Sequence, residues 1–408
     1  MTDVRPPATG AVAEWARGFQ PFLPGLEDDL YQRFADLRGH CPVARSDALG
    51  GFWVLSRYDD VRFVLQHHEL FSSETNVLPS GRMTEFGPDI PTQLDPPEHT
   101  KYRRILNPAL SPSAVAGLEA SIRRTARRLL EPIAQRRACD FLAEVAVPLP
   151  TEVFCDLMGL PKAELPRFLE WKDTILRADR REQAAKAEAV LQELVAYFTD
   201  IFRQRTPGGP SGGGHDLMDV MISARPGGGE PTSEDEFVRM ASFLWVAGLD
   251  TITAQLAFAV LYLGRNPEQR DLLTADPARI PAAIEELVRY DTLVNDCRRV
   301  RRDVEIGGQL LRAGDVVLLL YSSAGRDPEQ FPDPDAVDFD RLPNRHLGFG
   351  AGVHRCAGSH LARLQLRVAL EEMHRVIPTY RVDESIPPRT HVGWIRGVDV
   401  LHLTLDPA

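Results

Sequence analysis

The segment from Phe349 to Gly358 (FGAGVHRCAG) joins a glycine-spaced backbone to a single cysteine, and a helical pattern follows at once from Ser359 to Leu366. The unpaired amides and dipole of a helix N-terminus stabilise an anion, so they favour a thiolate at Cys356 and metal ligation by it. Gly348, Gly350 and Gly352 stand at alternate positions and would let the backbone approach something flat and bulky. The same glycines invite a dinucleotide reading. Against it, Arg355 stands where that fingerprint requires a third glycine, and no strand leads in.

Three other groupings could do chemistry. Phe243 to Ile252 is apolar nearly all round, yet contains Gly248, Asp250 and Thr251. A glycine weakens a helix interior by about 1 kcal/mol relative to alanine, and a threonine hydroxyl can bond back one turn and bend the helix. The pattern is either a kink or a buried acid and alcohol able to relay protons. His99 and Arg103 are four apart on one helical face, a solvated pair or an anion contact. Glu286 and Arg289 have the spacing of a common surface ion pair.

Taken together these segments resemble the cytochrome P-450 family. FGAGVHRCAG fills every specified position of the family's Phe-Gly-x-Gly-x-His-x-Cys-x-Gly loop, AGLDT matches its Ala-Gly-x-Asp/Glu-Thr motif, and the run from Ala324 to Arg341 is similar to its meander. The resemblance runs from about Phe71 to the C-terminus, with the motifs in the family's order. It implies haem b held by the Cys356 thiolate, a ligand type that favours O–O cleavage. Phe349 belongs to the same loop, and His99, Arg103, Arg298 and His354 are implied as haem contacts, the adjacent Arg299 leaving Arg298 uncertain by one residue. Gly248, Asp250 and Thr251 become the oxygen-activating group, Gly248 through a groove for O2. Glu286, Arg289 and Arg341 become a structural lock.

The implied reaction is monooxygenation with electrons from an iron-sulfur ferredoxin and its NAD(P)H-dependent reductase, because no flavin or nicotinamide fingerprint is present. An acidic ferredoxin would need a basic patch near Cys356, and Arg103, Arg104, Arg345, Arg355 and Arg363 are the candidates. FSSE near residue 71, IPTQLDPP, AGLDT and LVND resemble the camphor-hydroxylase branch, which favours compact terpenoids. The tyrosine that holds camphor there has no counterpart: the aligned loop offers Phe86 or Gly87. Pocket candidates are Phe86, Thr92, Phe243, Val246, Val294, Trp394 and Ile395, a lining suited to a small hydrophobic substrate. A peroxide-driven peroxygenase and a haem-thiolate sensor are the alternatives. The first usually lacks the acid and alcohol, and the second would need an effector domain for which no segment is left.

These residues need helices to hold them. Ser233 with Glu236 forms a capping box, and a helical pattern continues to about Gly264, long enough to cross the molecule. Asp95-Pro96-Pro97-Glu98 starts the helix of His99, while residues 71–94 dissolve into Ser, Thr, Gly and Pro and read as a long loop. The predicted fold is mainly α with small β-sheets: one domain over residues 1–408, with about 30–70 and 298–320 contributing to a β-rich lobe, and about 95–290 and 340–380 mainly helical. Two glycine-rich stretches, 207–214 and 226–229, lack the Lys-Ser/Thr of a phosphate-binding loop.

Composition narrows the class further. A net charge of −11 argues against broad binding to nucleic acid or anionic membrane. Five scattered cysteines without C-x-x-C spacing fit neither a disulfide framework nor a zinc site. Met1 to Phe22 has no apolar core of a signal peptide, and no segment reaches about 18 uninterrupted apolar residues. The expectation is a cytoplasmic protein without a membrane anchor.

Overall fold

The structure is a computed structural model that describes residues 10–23, 25–78, 87–176, 181–206 and 216–406. Phe86 and the 207–214 stretch therefore lie outside the described residues. The helices that position the site are α1 Glu98–Ala109, α2 Glu119–Leu130, α3 Pro148–Met158, α4 Leu165–Leu176, α5 Arg181–Arg205, α6 Glu234–Arg265, α7 Ile280–Tyr290 and α8 Ser359–Val376.

The long central helix is α6. Ser233 Oγ accepts from the Glu236 N–H at 3.3 Å while Glu236 Oε2 accepts from the Ser233 N–H at 2.7 Å, so both halves of the capping box are made. Its 32 residues span about 48 Å at 1.5 Å each. The first half packs with Tyr102, Phe154, Phe168, Trp171 and Phe198. The second half packs with Ile122, Ile284, Leu366 and Tyr380, so one rod joins two cores. By length and composition α6 could cross a membrane, but 61% of its most apolar window is buried inside the protein, as expected for a core helix.

The β-structure gathers beside the helices. Five strands pair in the order Val43–Ser46, Phe52–Leu55, Val316–Leu319, Asp296–Val300 and Phe71–Ser72. Phe52–Leu55 and Val316–Leu319 run parallel, and the other pairs are antiparallel. This sheet sets Arg298 and Arg299 on opposite faces, since successive strand residues alternate. Tyr380–Val382, His402–Leu405 and Ala138–Asp140 form a second sheet. Residues 71–94 are not one uninterrupted loop: Phe71 and Ser72 pair with Val300 and Arg299 at the sheet edge.

Helix α8, which follows Cys356, is clamped to α2 by charge. Arg123 meets Glu119, Glu371 and Glu372, and Arg127 meets Glu372 at 2.9 Å. Arg367 closes the ladder on Glu119 and Glu371. A network of this size holds geometry better than isolated surface pairs do.

Candidate active site

Cys356 is the exposed cysteine of the five; the other four are buried. Its N–H donates to the Phe349 carbonyl at 2.9 Å, which curls the loop around the thiol. The surrounding chain is dense enough that burial pushes the thiol above its usual range, while the Gly358 N–H and the charges of Arg103, Arg355 and Arg363 pull the other way.

The three alternate glycines do different jobs. A Cβ on Gly352 would lie 2.2 Å from the Leu65 carbonyl oxygen, and one on Gly348 would lie 2.5 Å from Val288 Cγ1. Both are required by contacts within the protein. Gly350, with φ +65°, has nothing nearer than 4.0 Å and is the position that leaves an open approach. Of the three, then, Gly350 alone meets the expectation of a backbone approached by a flat group.

A basic cluster lies beside the loop. The His99 and His354 rings sit 4.2 Å apart between centroids. Burial, with His354 and Arg103 nearby, pushes His99 down to about 3, and burial lowers His354 as well. His354 Nε2 is buried without a hydrogen-bond partner, its nearest acid being Asp95 at 3.8 Å. Arg298 is 4% exposed and donates to Asp296 Oδ2 at 2.7 Å, and its charge reaches His354. Arg299 instead pairs with Glu74 and donates to Thr75 on the other face. The interior position is therefore that of Arg298. Arg103 donates to the Arg355 carbonyl at 2.9 Å.

On α6, Phe243, Val246, Ala247, Asp250 and Thr251 are partly buried. Thr251 Oγ1 donates to the Ala247 carbonyl at 3.0 Å, the expected back-bond. The helix nonetheless runs unbroken through this turn. A Cβ on Gly248 would lie 2.7 Å from the Phe154 ring on α3. Its smallness serves a close helix contact. Asp250 Oδ1 accepts from Lys172 Nζ at 2.9 Å, and Lys172 on α4 is 5% exposed. The sequence reading missed Lys172, because 78 residues separate the partners.

The other assigned residues are placed as follows. Glu286 accepts from Arg289, Arg341, Asn344 and the Asp338 N–H, with Glu286 and Arg289 fully buried. The pair that could have been a surface bridge is a buried hub. Val294 and Ile395 form an isolated β-bridge. Trp394 stacks edge-on with Phe22, and its Nε1 donates to the Leu78 carbonyl at 2.6 Å, so it pins the chain entering the 79–86 segment. Thr92 is partly buried in the turn before α1. Arg363, expected in a docking patch, is bound in two places to Glu285 instead.

These residues fit a haem. Among the described residues no group of three His, Cys, Asp or Glu could hold a metal alone, so iron at Cys356 would need a macrocycle's other ligands. Cys356 would supply the thiolate. Arg298 and the unpartnered Nε2 of His354 suit carboxylates such as the propionates, and Gly350 leaves room for a flat face.

Comparison with known proteins agrees. Residues 279–386 match the family model described as Cytochrome P450. The chain is 34% identical to a methyl-branched lipid omega-hydroxylase of Mycobacterium tuberculosis, over 98% of this chain and 96% of the relative. It is 34% identical to mycinamicin IV hydroxylase/epoxidase of Micromonospora griseorubida, over 90% of this chain and 92% of the relative. The crystal structure of CYP101J2 superposes with a TM-score of 0.85 at 30% identity, covering 98% of this chain and 99% of that one. The chain thus belongs to the cytochrome P450 family of haem-thiolate monooxygenases.

Proposed function

We propose that this monooxygenase hydroxylates a compact hydrophobic substrate of the terpenoid class, with Cys356 as the iron ligand and a ferredoxin as electron donor, in the cytoplasm. Its relatives' names speak of methyl-branched lipids and a macrolide, so membership of the family leaves the substrate open. The likeness of IPTQLDPP and LVND to the camphor-hydroxylase branch supports the terpenoid class. The lining from Phe243, Val246, Val294 and Ile395, with Thr92 as a polar handle, supports an apolar molecule with few anchoring groups. Trp394 shapes the wall through its grip on Leu78.

The bound haem supplies oxygen activation and insertion into a C–H bond. The chain's own residues do the rest. Cys356, with its N–H tied to the Phe349 carbonyl, would hold the iron, and His99, Arg103, Arg298 and His354 would hold the carboxylates of the cofactor. Asp250, held by Lys172, keeps an acid beside the apolar stretch, and Thr251 offers a hydroxyl next to it in the chain. Together they can pass protons inward. The partly buried carboxylate of Asp250, held by Lys172 and next to Thr251, is the observation that favours an O2-using enzyme over a peroxygenase or sensor. For docking, Arg104, Arg345 and Arg355 are exposed and remain the patch; Arg363 leaves it.

The test is NADH consumption with ferredoxin, reductase and a terpenoid panel, matched against product formed. Substrate-dependent consumption with stoichiometric hydroxylated product supports the reading. Turnover with peroxide alone, unaffected by Asp250→Asn, overturns it in favour of the peroxygenase.

A further inference from the structure

Glu285 precedes the lock glutamate on α7 and serves a different partner, the thiolate loop. Its carboxylate accepts from Arg363 Nε at 2.6 Å and Nη2 at 2.7 Å, and it meets His346 Nε2 at 3.1 Å. His346 Nδ1 in turn accepts the Gly348 N–H at 3.1 Å. With Nδ1 accepting, the ring proton resides on Nε2 and is donated to Glu285, so one neutral tautomer satisfies both contacts. The Arg363 guanidinium lies 4.3 Å from the centroid of Phe349, within cation–π range. Phe349 is the residue whose carbonyl receives the Cys356 N–H. Burial pushes the Glu285 carboxyl up, but Arg363 and His346 more than offset it and hold it at about 2, so it is ionised at neutral pH.

We propose that Glu285 is a positioning residue that, through Arg363 and His346, sets how strongly the Cys356 thiolate donates electrons to bound iron. The inference rests on Cys356 being the iron ligand. The Arg363 guanidinium lies over Phe349, whose carbonyl accepts the Cys356 N–H, so its positive charge sits beside the thiolate loop. An uncompensated charge there would stabilise the thiolate, weaken its donation and favour the reduced, more negative iron state. Glu285 neutralises that charge, while His346 fixes the backbone at Gly348 from which Phe349 and Cys356 follow. The two functions converge on one carboxylate at the edge of the loop.

The experiment measures the iron midpoint potential of the holoprotein by spectroelectrochemical titration, together with the carbon-monoxide spectrum of the reduced form. Glu285→Gln should raise the midpoint, Arg363→Gln should lower it, and the double variant should return toward wild type. His346→Asn keeps an acceptor for the Gly348 N–H and should retain the thiolate-type spectrum. His346→Leu should convert a larger fraction to the thiol-type spectrum. A midpoint unmoved or lowered in Glu285→Gln overturns the proposal, as does an unmoved or raised one in Arg363→Gln if the first variant does not accumulate. Loss of the thiolate-type spectrum in the wild type would instead overturn the ligand assignment on which the proposal rests.

Discussion

The pairing of Lys172 with Asp250 makes a quantitative prediction. The two charges lie 2.9 Å apart, with side chains 6% and 17% exposed. At an effective dielectric of about 20, their attraction is about 6 kcal/mol before desolvation is subtracted. Desolvation offsets much of this while both ions are present, and removing Lys172 strands the Asp250 carboxylate, at a loss of about 3–5 kcal/mol; Lys172 itself also lies 3.3 Å from Asp173. Lys172→Met preserves the aliphatic stem and removes the charge. For 408 residues, with an unfolding entropy of about 2.1 cal/mol/K each, the loss corresponds to a fall in Tm of roughly 4–6 °C. Scanning calorimetry on holoprotein with matched haem content reads it directly. Asp250→Asn should lower kcat by about 10²-fold or more with little change in KM, the signature of a lost proton-transfer group. In the double variant most of the Lys172→Met penalty should vanish, because no carboxylate remains to be stranded. If the two substitutions add within about 0.5 kcal/mol, the pair is uncoupled and the reasoning fails.

Glu286→Ala removes the acceptor of three side chains inside the core and should cost about 3–5 kcal/mol, read as loss of soluble haem-loaded protein. Gly248→Ala drives a methyl into the Phe154 ring and should cost about 1–3 kcal/mol, with partial rescue by Phe154→Leu; equal stabilities would refute the packing role. For Glu372, burial raises the carboxyl, but Arg127, Arg123 and Arg375 more than offset this and hold it at about 2. Its stabilising effect is therefore full above the ordinary carboxylate range and lost as pH falls toward 2, so Glu372→Gln should flatten the fall in Tm over that window. Arg104→Glu should slow reduction by ferredoxin in stopped-flow traces and weaken its dependence on salt, while reduction by dithionite stays unchanged.

Much of the site could be read from local patterns. The order of residues around Cys356, the capping box at Ser233 and the AGLDT run each occupy one element, so their spacing alone carries meaning. The roles of the glycines could not be read in that way. Gly352 meets Leu65, Gly348 meets Val288 and Gly248 meets Phe154, contacts between segments far apart in the chain. Arg363 was legible as a cation near Cys356, but its bidentate partner Glu285 lies 78 residues away, and that partner compensates its charge. Arg298 and Arg299 are equivalent as neighbours in sequence and were separated by the alternation of their strand.

The sequence by itself determined the family, the place of Cys356 just before a helix and the central helix that carries Asp250 and Thr251, because these depend on residue type at short spacing. Tertiary structure decided which charges are compensated: Lys172 on Asp250, Glu285 on Arg363, and Glu286 on Arg289 and Arg341. Such pairs join elements that are distant in the chain, and their strength depends on burial and on distances of about 3 Å, neither of which a linear order of residues specifies.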